Sequence, residues 1–336
     1  MRFGVFLLAA QFPGQNHTTV LDSTVTAAVA AEQAGFDDVW IAEHHFMSYG
    51  ICPSAITLAG YLLGATHRIT VGTAVSVLST QHPVALAEQT ALLDQLSGGR
   101  FHLGVGRGGP WIDLEVFGTG LARHQHGFAE ALDLLLAALT SPRIAATGPQ
   151  FHFPEVDIVP RPRTQPRPEV IVAVTTAPTA KLAGQRGLPM LLGMHANDTE
   201  KAALIDHYHQ HAPSHRPHIA ASLAYVADSQ HEALTTIRRC LPRWLGPGLA
   251  GYRRADGKPH HPRDPHEYTE LLCRLHPVGT VEHCQDTLIE TARHTGIAHF
   301  ILVVEATGDR GRTLENITRL GTEVIPVLQG RASPRP

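Results

Sequence analysis

The run RFGVFLL (residues 2–8), followed by TVTAAVAAEQAGF (24–36) and DVWIA (38–42), decides how the chain folds. Two short apolar runs rich in strand-forming residues flank one amphipathic, alanine-rich segment, and Gly35 sits where a helix C-cap belongs. Strand, helix, strand in so short a span is a βαβ unit, and its two strands must be parallel.

The same grammar continues outward. PSAITLAGYLLGAT (53–66) and PVALAEQTALLDQLSGG (83–99) read as helices, with Pro53 and Pro83 in their first turns and Gly98-Gly99 closing the second. RITVGTAVSVL (68–78) and FHLGVGRG (101–108) read as strands. Four more strands are expected at EVIVAV (169–174), LPMLLG (188–193), HIAASLAYVA (218–227) and AHFILVV (298–304), with helices over 123–139, 178–186, 199–210 and 230–241. Eight such strands, each too continuously apolar for a sheet with one wet face, predict an α/β fold of the closed (β/α)₈ TIM-barrel type, one domain over 1–336. An open doubly wound sheet is disfavoured because the first turn, LLAAQFPGQN, lacks GxGxxG. Two segments break the rhythm. One is a Pro-rich insertion at 141–168; the other, 246–278, is long, polar and Gly/Pro-rich and is expected to be a mobile lid.

The bulk composition narrows the function classes. In 336 residues, 43% apolar and 17% charged, a net charge of −3 leaves no electrostatic footprint for nucleic acid or an anionic membrane. No apolar run approaches a membrane span, and FGVFLL near the start is too short for a secretory leader. Cys52, Cys240, Cys273 and Cys284 show no CxxC spacing and read as buried free thiols in a reducing cytoplasm. Many of the 23 histidines fall in stretches such as HQHAPSHRPH (209–218) and GKPHHPRDPHE (257–267), which read as solvated loops.

In a barrel of this kind the site lies at the C-terminal ends of the strands. Glu43, His44 and His45 follow strand 2, Ala74 and Val75 strand 3, Gly106, Arg107 and Gly108 strand 4, Thr175 and Thr176 strand 5, and Met194 strand 6. Arg107 among glycines, together with TTAPT (175–179) opening a helix, suits a phosphate. Taken singly, the threonines read equally well as helix caps and Arg107 as a surface ion-pair partner. Adjacent histidines on a strand point to opposite faces, which suits one metal poorly and suits general acid/base work by one ring better. No metal is expected.

These residues carry a resemblance. WIAEHHF (40–46), YLLGAT (61–66), VGTAVSVLSTQHPV (71–84), LLDQLSGGRFHLGVGRG (92–108), VFGT (116–119), RGLPM (186–190), HPVGT (276–280), TGI (295–297) and VIPVL (324–328) resemble, in order along nearly the whole chain, the bacterial luciferase α-subunit and the wider family of luciferase-like flavin monooxygenases. The resemblance implies a barrel that binds FMN as FMNH₂, supplied by a separate NAD(P)H:flavin reductase, and that inserts one oxygen atom from O₂ into a small organic substrate through a C4a-peroxyflavin. It implies that Arg107, Thr176 and Thr179 hold the phosphate and that Ala74-Val75 is a non-prolyl cis peptide under the flavin ring. It also makes His44 the base, with Glu43 beside it, and places His45 and Asp113 about the flavin. The chain departs from luciferase at Gly106, where luciferase has its reactive cysteine. Thr175 stands for a glutamate, Gln125 for a phosphate-site arginine and Met194 for a tryptophan, so Arg123 or His126 is the expected substitute at the phosphate. These departures point to a monooxygenase with another substrate, and the Ala-, Arg-, Pro- and His-rich composition, similar to that of high-GC soil bacteria, points to secondary metabolite biosynthesis. The alternatives are an F420-dependent dehydrogenase or reductase and a non-catalytic partner resembling the luciferase β-subunit. A cytoplasmic homodimer is expected from the resemblance and from the apolar helices after strands 2 and 3.

Overall fold

In a computed structural model that describes residues 1–331, eight parallel strands form a ring: β1 (Arg2–Leu7), β2 (Asp38–Ile41), β3 (Thr70–Thr73), β4 (Phe101–Gly106), β5 (Val170–Val174), β6 (Met190–Leu192), β7 (Ile219–Leu223) and β8 (His299–Val303). Each strand pairs with the next in sequence and β8 pairs with β1, Phe300 opposite Phe3, so the barrel closes. All eight expected strands are present. The expected helices form its outer layer as α1 (His17–Gln33), α2 (Ala55–Ala65), α3 (Pro83–Ser97), α4 (Phe128–Thr140), α5 (Ala177–Gln185), α6 (Asp198–His209) and α7 (Gln230–Ala250). Three more follow, α8 (Pro265–Leu275), α9 (Val281–Thr295) and α10 (Arg310–Arg319). No helix among the described residues is long and apolar enough to cross a membrane.

Local chemistry explains the boundaries. The Asn16 side chain accepts from the Thr19 amide to start α1, and Gly98 ends α3 at a φ of 70°, where a side chain would be strained. Pro83 is in the first turn of α3, but Pro53 lies outside α2, whose cap is Ser54.

Several expectations need correction. The run 68–78 is not one strand: β3 stops at Thr73, the Ala74-Val75 peptide is cis, and Ser76-Val77 then pairs with the end of β4. The run 218–227 likewise divides after Leu223, and Tyr225-Val226 pairs with Val278-Gly279 instead of continuing the barrel. Helix 123–139 is two helices, Gly120–His126 and α4. The insertion at 141–168 holds an antiparallel hairpin, Arg143–Thr147 with His152–Asp157. About half of 246–278 is helix and not loop, since α7 runs through Pro242 and Pro247 to Ala250 and α8 spans Pro265–Leu275. His218, expected in a solvated loop, is buried, and its Nδ1 accepts from the Met190 amide at 3.2 Å. All four cysteines are buried free thiols.

A polar knot sits at the opposite end of the barrel from the strand C-termini. Asp38, fully buried, accepts from Trp40 Nε1 at 2.5 Å and pairs with His299 Nε2 at 2.9 Å and Arg2 Nη2 at 3.1 Å. Burial pushes its pKa up, but the charges of His299 and Arg2 and the hydrogen bonds from His299 and Trp40 outweigh it and hold the carboxyl below its usual range. Removing a partner from such a buried pair leaves an uncompensated group, so Asp38→Ala is expected to cost about 3–5 kcal/mol in urea unfolding at neutral pH. A depressed folded pKa stabilises the fold fully above the ordinary carboxyl value of 3.8. That stabilisation fades as pH falls through the folded value, so the gap between wild type and variant closes in acid.

Candidate active site

At the C-terminal end of the barrel a cavity of about 320 Å³ opens between the strand ends. The β2 exit supplies Glu43, His44 and His45, and the β3 exit supplies Ala74 and Val75. Gly108 and Asp113 come from the segment after β4, Thr175 from the β5 exit and Met194 from the β6 exit. Four expected site residues lie outside this lining. Gly106 is buried behind Val75, Arg107 is exposed, and Thr176 and Thr179 sit at the start of α5.

The three consecutive polar residues after β2 go to three environments. Both Glu43 oxygens are committed to backbone amides: Oε1 accepts from Val77 at 2.9 Å and Oε2 from Ala55 at 3.2 Å. His45 packs edge-on against Phe117 with centroids 4.9 Å apart, its Nε2 at 3.7 Å from Glu43 Oε1. His44 packs edge-on against Tyr49 at 5.0 Å. Its Nδ1 is buried without a partner, and Gly50 lies behind it so closely that a Cβ there would come within 2.7 Å. Nε2, on the other edge of the ring, is therefore the nitrogen open to the cavity. Burial, reinforced by the neighbouring His45 charge, pulls the His44 pKa down to about 4, so the imidazole is neutral at pH 7 and free to accept a proton.

The rest of the lining is electrostatically quiet. Asp113 is buried, and burial raises its pKa although the Leu114 amide donates to Oδ1 at 3.0 Å. His276 Nε2 lies 2.6 Å from the Met194 carbonyl, and burial with the Lys201 charge brings its pKa to about 4. Among the described residues no group of three or more His, Cys, Asp or Glu side chains is arranged to hold a metal.

The residues present suit an anion at the rim. Arg107 has no ion-pair partner among the described residues, and Thr176, the N-cap of α5, does not cap its own helix. Its Oγ1 lies instead 3.0 Å from Thr179 Oγ1; Pro178 has no N–H and the Thr179 and Ala180 amides donate to the Thr176 carbonyl, so the Ala177 amide is the one left open at the start of α5. Of the two expected substitutes, Arg123 is half-buried over the Phe151 ring and donates to the Gln81 carbonyl.

Sequence reasoning missed the aromatic side of the cavity, where Tyr49, Trp111, Tyr252 and Tyr268 line the wall. Tyr49, Trp111 and Tyr252 come from loops with no periodic signal, and Tyr268 from the first turn of α8. It also missed Glu305, which follows β8 and accepts from the Leu8 amide at 2.6 Å; burial pushes its pKa up to about 7 although hydrogen bonds from the Leu8, Ala10 and Ala9 amides lower it. Inspecting the residue after strand 8, as for the other strands, finds it.

Comparison with known proteins agrees with this geometry. A family model described as luciferase-like monooxygenase matches residues 1–299. The alkanal monooxygenase alpha chain of the Kryptophanaron alfredi symbiont is 30% identical, the match covering 99% of this chain and 100% of that one. In fold, the chain is similar to monooxygenase RslO1 from Streptomyces bottropensis, with a TM-score of 0.86 at 20% identity over 97% of this chain and 99% of that one. It is also similar to the oxygenating constituent of 3,6-diketocamphane monooxygenase from Pseudomonas putida, solved in complex with FMN, with a TM-score of 0.78 at 20% identity over 97% and 98%.

The shelf at Ala74-Val75 has a packing consequence at Gly106. A Cβ on Gly106 would lie 2.6 Å from Val75 Cγ2, so Val75 occupies the room a side chain at 106 needs. Gly106→Ala is expected to cost about 1–3 kcal/mol in thermal or urea unfolding. Adding Val75→Ala is expected to restore most of it, and an additive loss in the double variant would disprove the exchange.

Proposed function

The chain belongs to the luciferase-like monooxygenase family and is an oxidoreductase, and from that premise we propose that it is the oxygenating component of a two-component system that takes FMNH₂ from a separate NAD(P)H-dependent reductase. One observation carries the proposal: a neutral, partnerless His44 in the same cavity as the Ala74-Val75 shelf. When bound, reduced FMN would supply the electrons that activate O₂ for transfer of one oxygen atom to a small organic substrate.

The protein's own residues have distinct tasks in this reading. Ala74 and Val75 form the apolar shelf for the flavin ring. Arg107, the hydroxyls of Thr176 and Thr179 and the Ala177 amide hold the phosphate. Gly108, Asp113, Thr175, Met194 and His45 surround the flavin, and Gly106 leaves the shelf its space. His44 takes the substrate proton on Nε2 and returns it. Glu43 is a positioning residue, because both its oxygens are spent on amides that fix the β2 and β3 exits. Segment 251–264, between α7 and α8, is the lid that keeps water from the reacting atoms.

A cytoplasmic setting follows from dependence on a nicotinamide-driven reductase, and a role in secondary metabolism from the composition together with the departures at 106, 175 and 194. A homodimer is supported by Tyr61 of α2 and Leu92 and Leu96 of α3, large apolar side chains exposed on neighbouring helices. Sedimentation at micromolar concentration is expected to give twice the chain mass, and Leu96→Glu to give the monomer.

His44→Ala is expected to lower oxygenated product per FMNH₂ consumed by about 10²-fold or more while the FMN dissociation constant stays the same. With the folded pKa near 4, the acid limb of activity is expected near that pH and not near 6.5. Product formation unchanged in the variant would remove His44 from the chemistry. Turnover with reduced F420 and none with FMNH₂ would replace the oxygenase by a hydride-transfer enzyme, and failure to bind either would favour a non-catalytic partner.

A further inference from the structure

Two features at the cavity, an aromatic box and the Arg263 guanidinium, have no task in the flavin reading above. The first is an aromatic box beside His44. Tyr49 stacks on Trp244 with centroids 4.6 Å apart, Trp111 and Tyr252 lie 4.8 Å apart, and Tyr49 and Tyr252 lie 5.8 Å apart. Ring faces and edges presented this way reward a second flat π-system by about 0.5–1.5 kcal/mol per pair beyond area burial. An alkyl chain gains only the burial.

The second feature is the exposed Arg263, in a cleft of about 440 Å³ that shares Thr175, Gly193 and His195 with the cavity and is bounded on one side by Thr176 and Ala177, the α5 N-terminus given above to the phosphate, and on the other by His207. The Arg263 guanidinium lies 4.8 Å over the ring of Tyr268, the residue whose ring also lines the box, so it stands at the junction of the two spaces. No carboxylate pairs with it among the described residues. Glu200, the acidic residue of the cleft, is committed to the α6 capping box, its Oε2 accepting from the Asn197 amide at 2.8 Å. His195, a neutral or cationic group, offers no counter-charge; burial and then the Arg263 charge hold its pKa below the usual histidine value. An unpaired guanidinium over an aromatic face, flanked by a hydroxyl and an imidazole, is a receptor for a carboxylate.

We propose that the second ligand of the cavity is a planar aromatic acid, its rings in the box of Tyr49, Trp111, Tyr252 and Tyr268 and its carboxylate in the cleft, ion-paired to Arg263 with His195 and Thr175 as hydrogen-bond partners. This names the substrate class of the oxygenase proposed above and rests on that reading for its reaction, though not for its binding.

The test is calorimetric titration of the full chain, flavin-free and FMN-loaded, with three probes: 3-hydroxy-2-naphthoate, 2-naphthol and decanoate. Naphthoate is expected to bind at least tenfold tighter than either other probe. Arg263→Ala is expected to abolish its advantage over naphthol, Arg263→Lys to restore part of it, and neither to change the FMN dissociation constant. Equal binding of naphthoate and naphthol overturns the carboxylate assignment, and decanoate binding as tightly as naphthoate overturns the aromatic one. Absence of binding by all three overturns both. Loss of FMN affinity in Arg263→Ala overturns the proposal by assigning the cleft to the flavin phosphate. If FMN fails to bind wild type while naphthoate binds as expected, the oxygenase reading fails and the aromatic-acid site stands.

Discussion

The Glu43 carboxylate joins the parts of the site that matter most. One oxygen accepts from Val77, just past the cis peptide, and the other from Ala55, in the first turn of α2. The exits of β2 and β3 and the start of α2 are thereby fixed to one rigid group. Charge-assisted hydrogen bonds to amides are about twice as strong as neutral ones, and both lone-pair directions here meet backbone, which moves little. His44 is the next residue, so its position relative to the Ala74-Val75 shelf is set by this clamp and not by its own contacts. Its backbone amide is held in turn by the Cys52 carbonyl at 2.9 Å.

This division of labour explains why a buried histidine with an orphaned Nδ1 is tolerated. Leaving that nitrogen unpaired costs free energy that a stability-optimised core would avoid. The same burial lowers the pKa to about 4, which keeps the ring neutral where a solvated histidine would be partly charged. The cost and the useful protonation state come from one cause. The three neighbours in EHH therefore separate into a clamp, a buried neutral ring and a rim residue, although they look alike in sequence.

The barrel was legible because its strands are buried on both faces and so are written as uninterrupted apolar runs. Where the chain leaves that regime, the pattern misleads. ITVGTAVSV is apolar throughout, yet the peptide at Ala74-Val75 turns it out of the sheet between Thr73 and Ser76, and nothing in hydropathy marks the break. LAYVA looks like the continuation of β7 but pairs with Val278-Gly279, a partner some fifty residues later that no local pattern announces. Pro242 and Pro247 read as helix breakers, while Leu241, Trp244, Leu245 and Gly248 hold α7 together by packing its buried face. The polar residues at strand ends were legible by one rule, that barrel sites gather at strand C-termini. The aromatic wall was not, since Tyr49, Trp111, Tyr252 and Tyr268 lie on segments remote in sequence and converge only after closure.

Charge allocation at the mouth is what distinguishes this cavity. Asp256 neutralises Arg254 through contacts of 2.5 and 2.7 Å, and Arg123 is spent on Phe151 and the Gln81 carbonyl. Arg107, Arg253 and Arg263, one after β4 and two between α7 and α8, have no carboxylate partner among the described residues, and Arg253 lines the cavity itself. Cations left unpaired beside an apolar cavity raise the local potential for anions. In the reading proposed above, one phosphate takes Arg107 together with Thr176 and Thr179. A ligand that is both flat and acidic would then engage the aromatic box and the Arg263 guanidinium over Tyr268 at once.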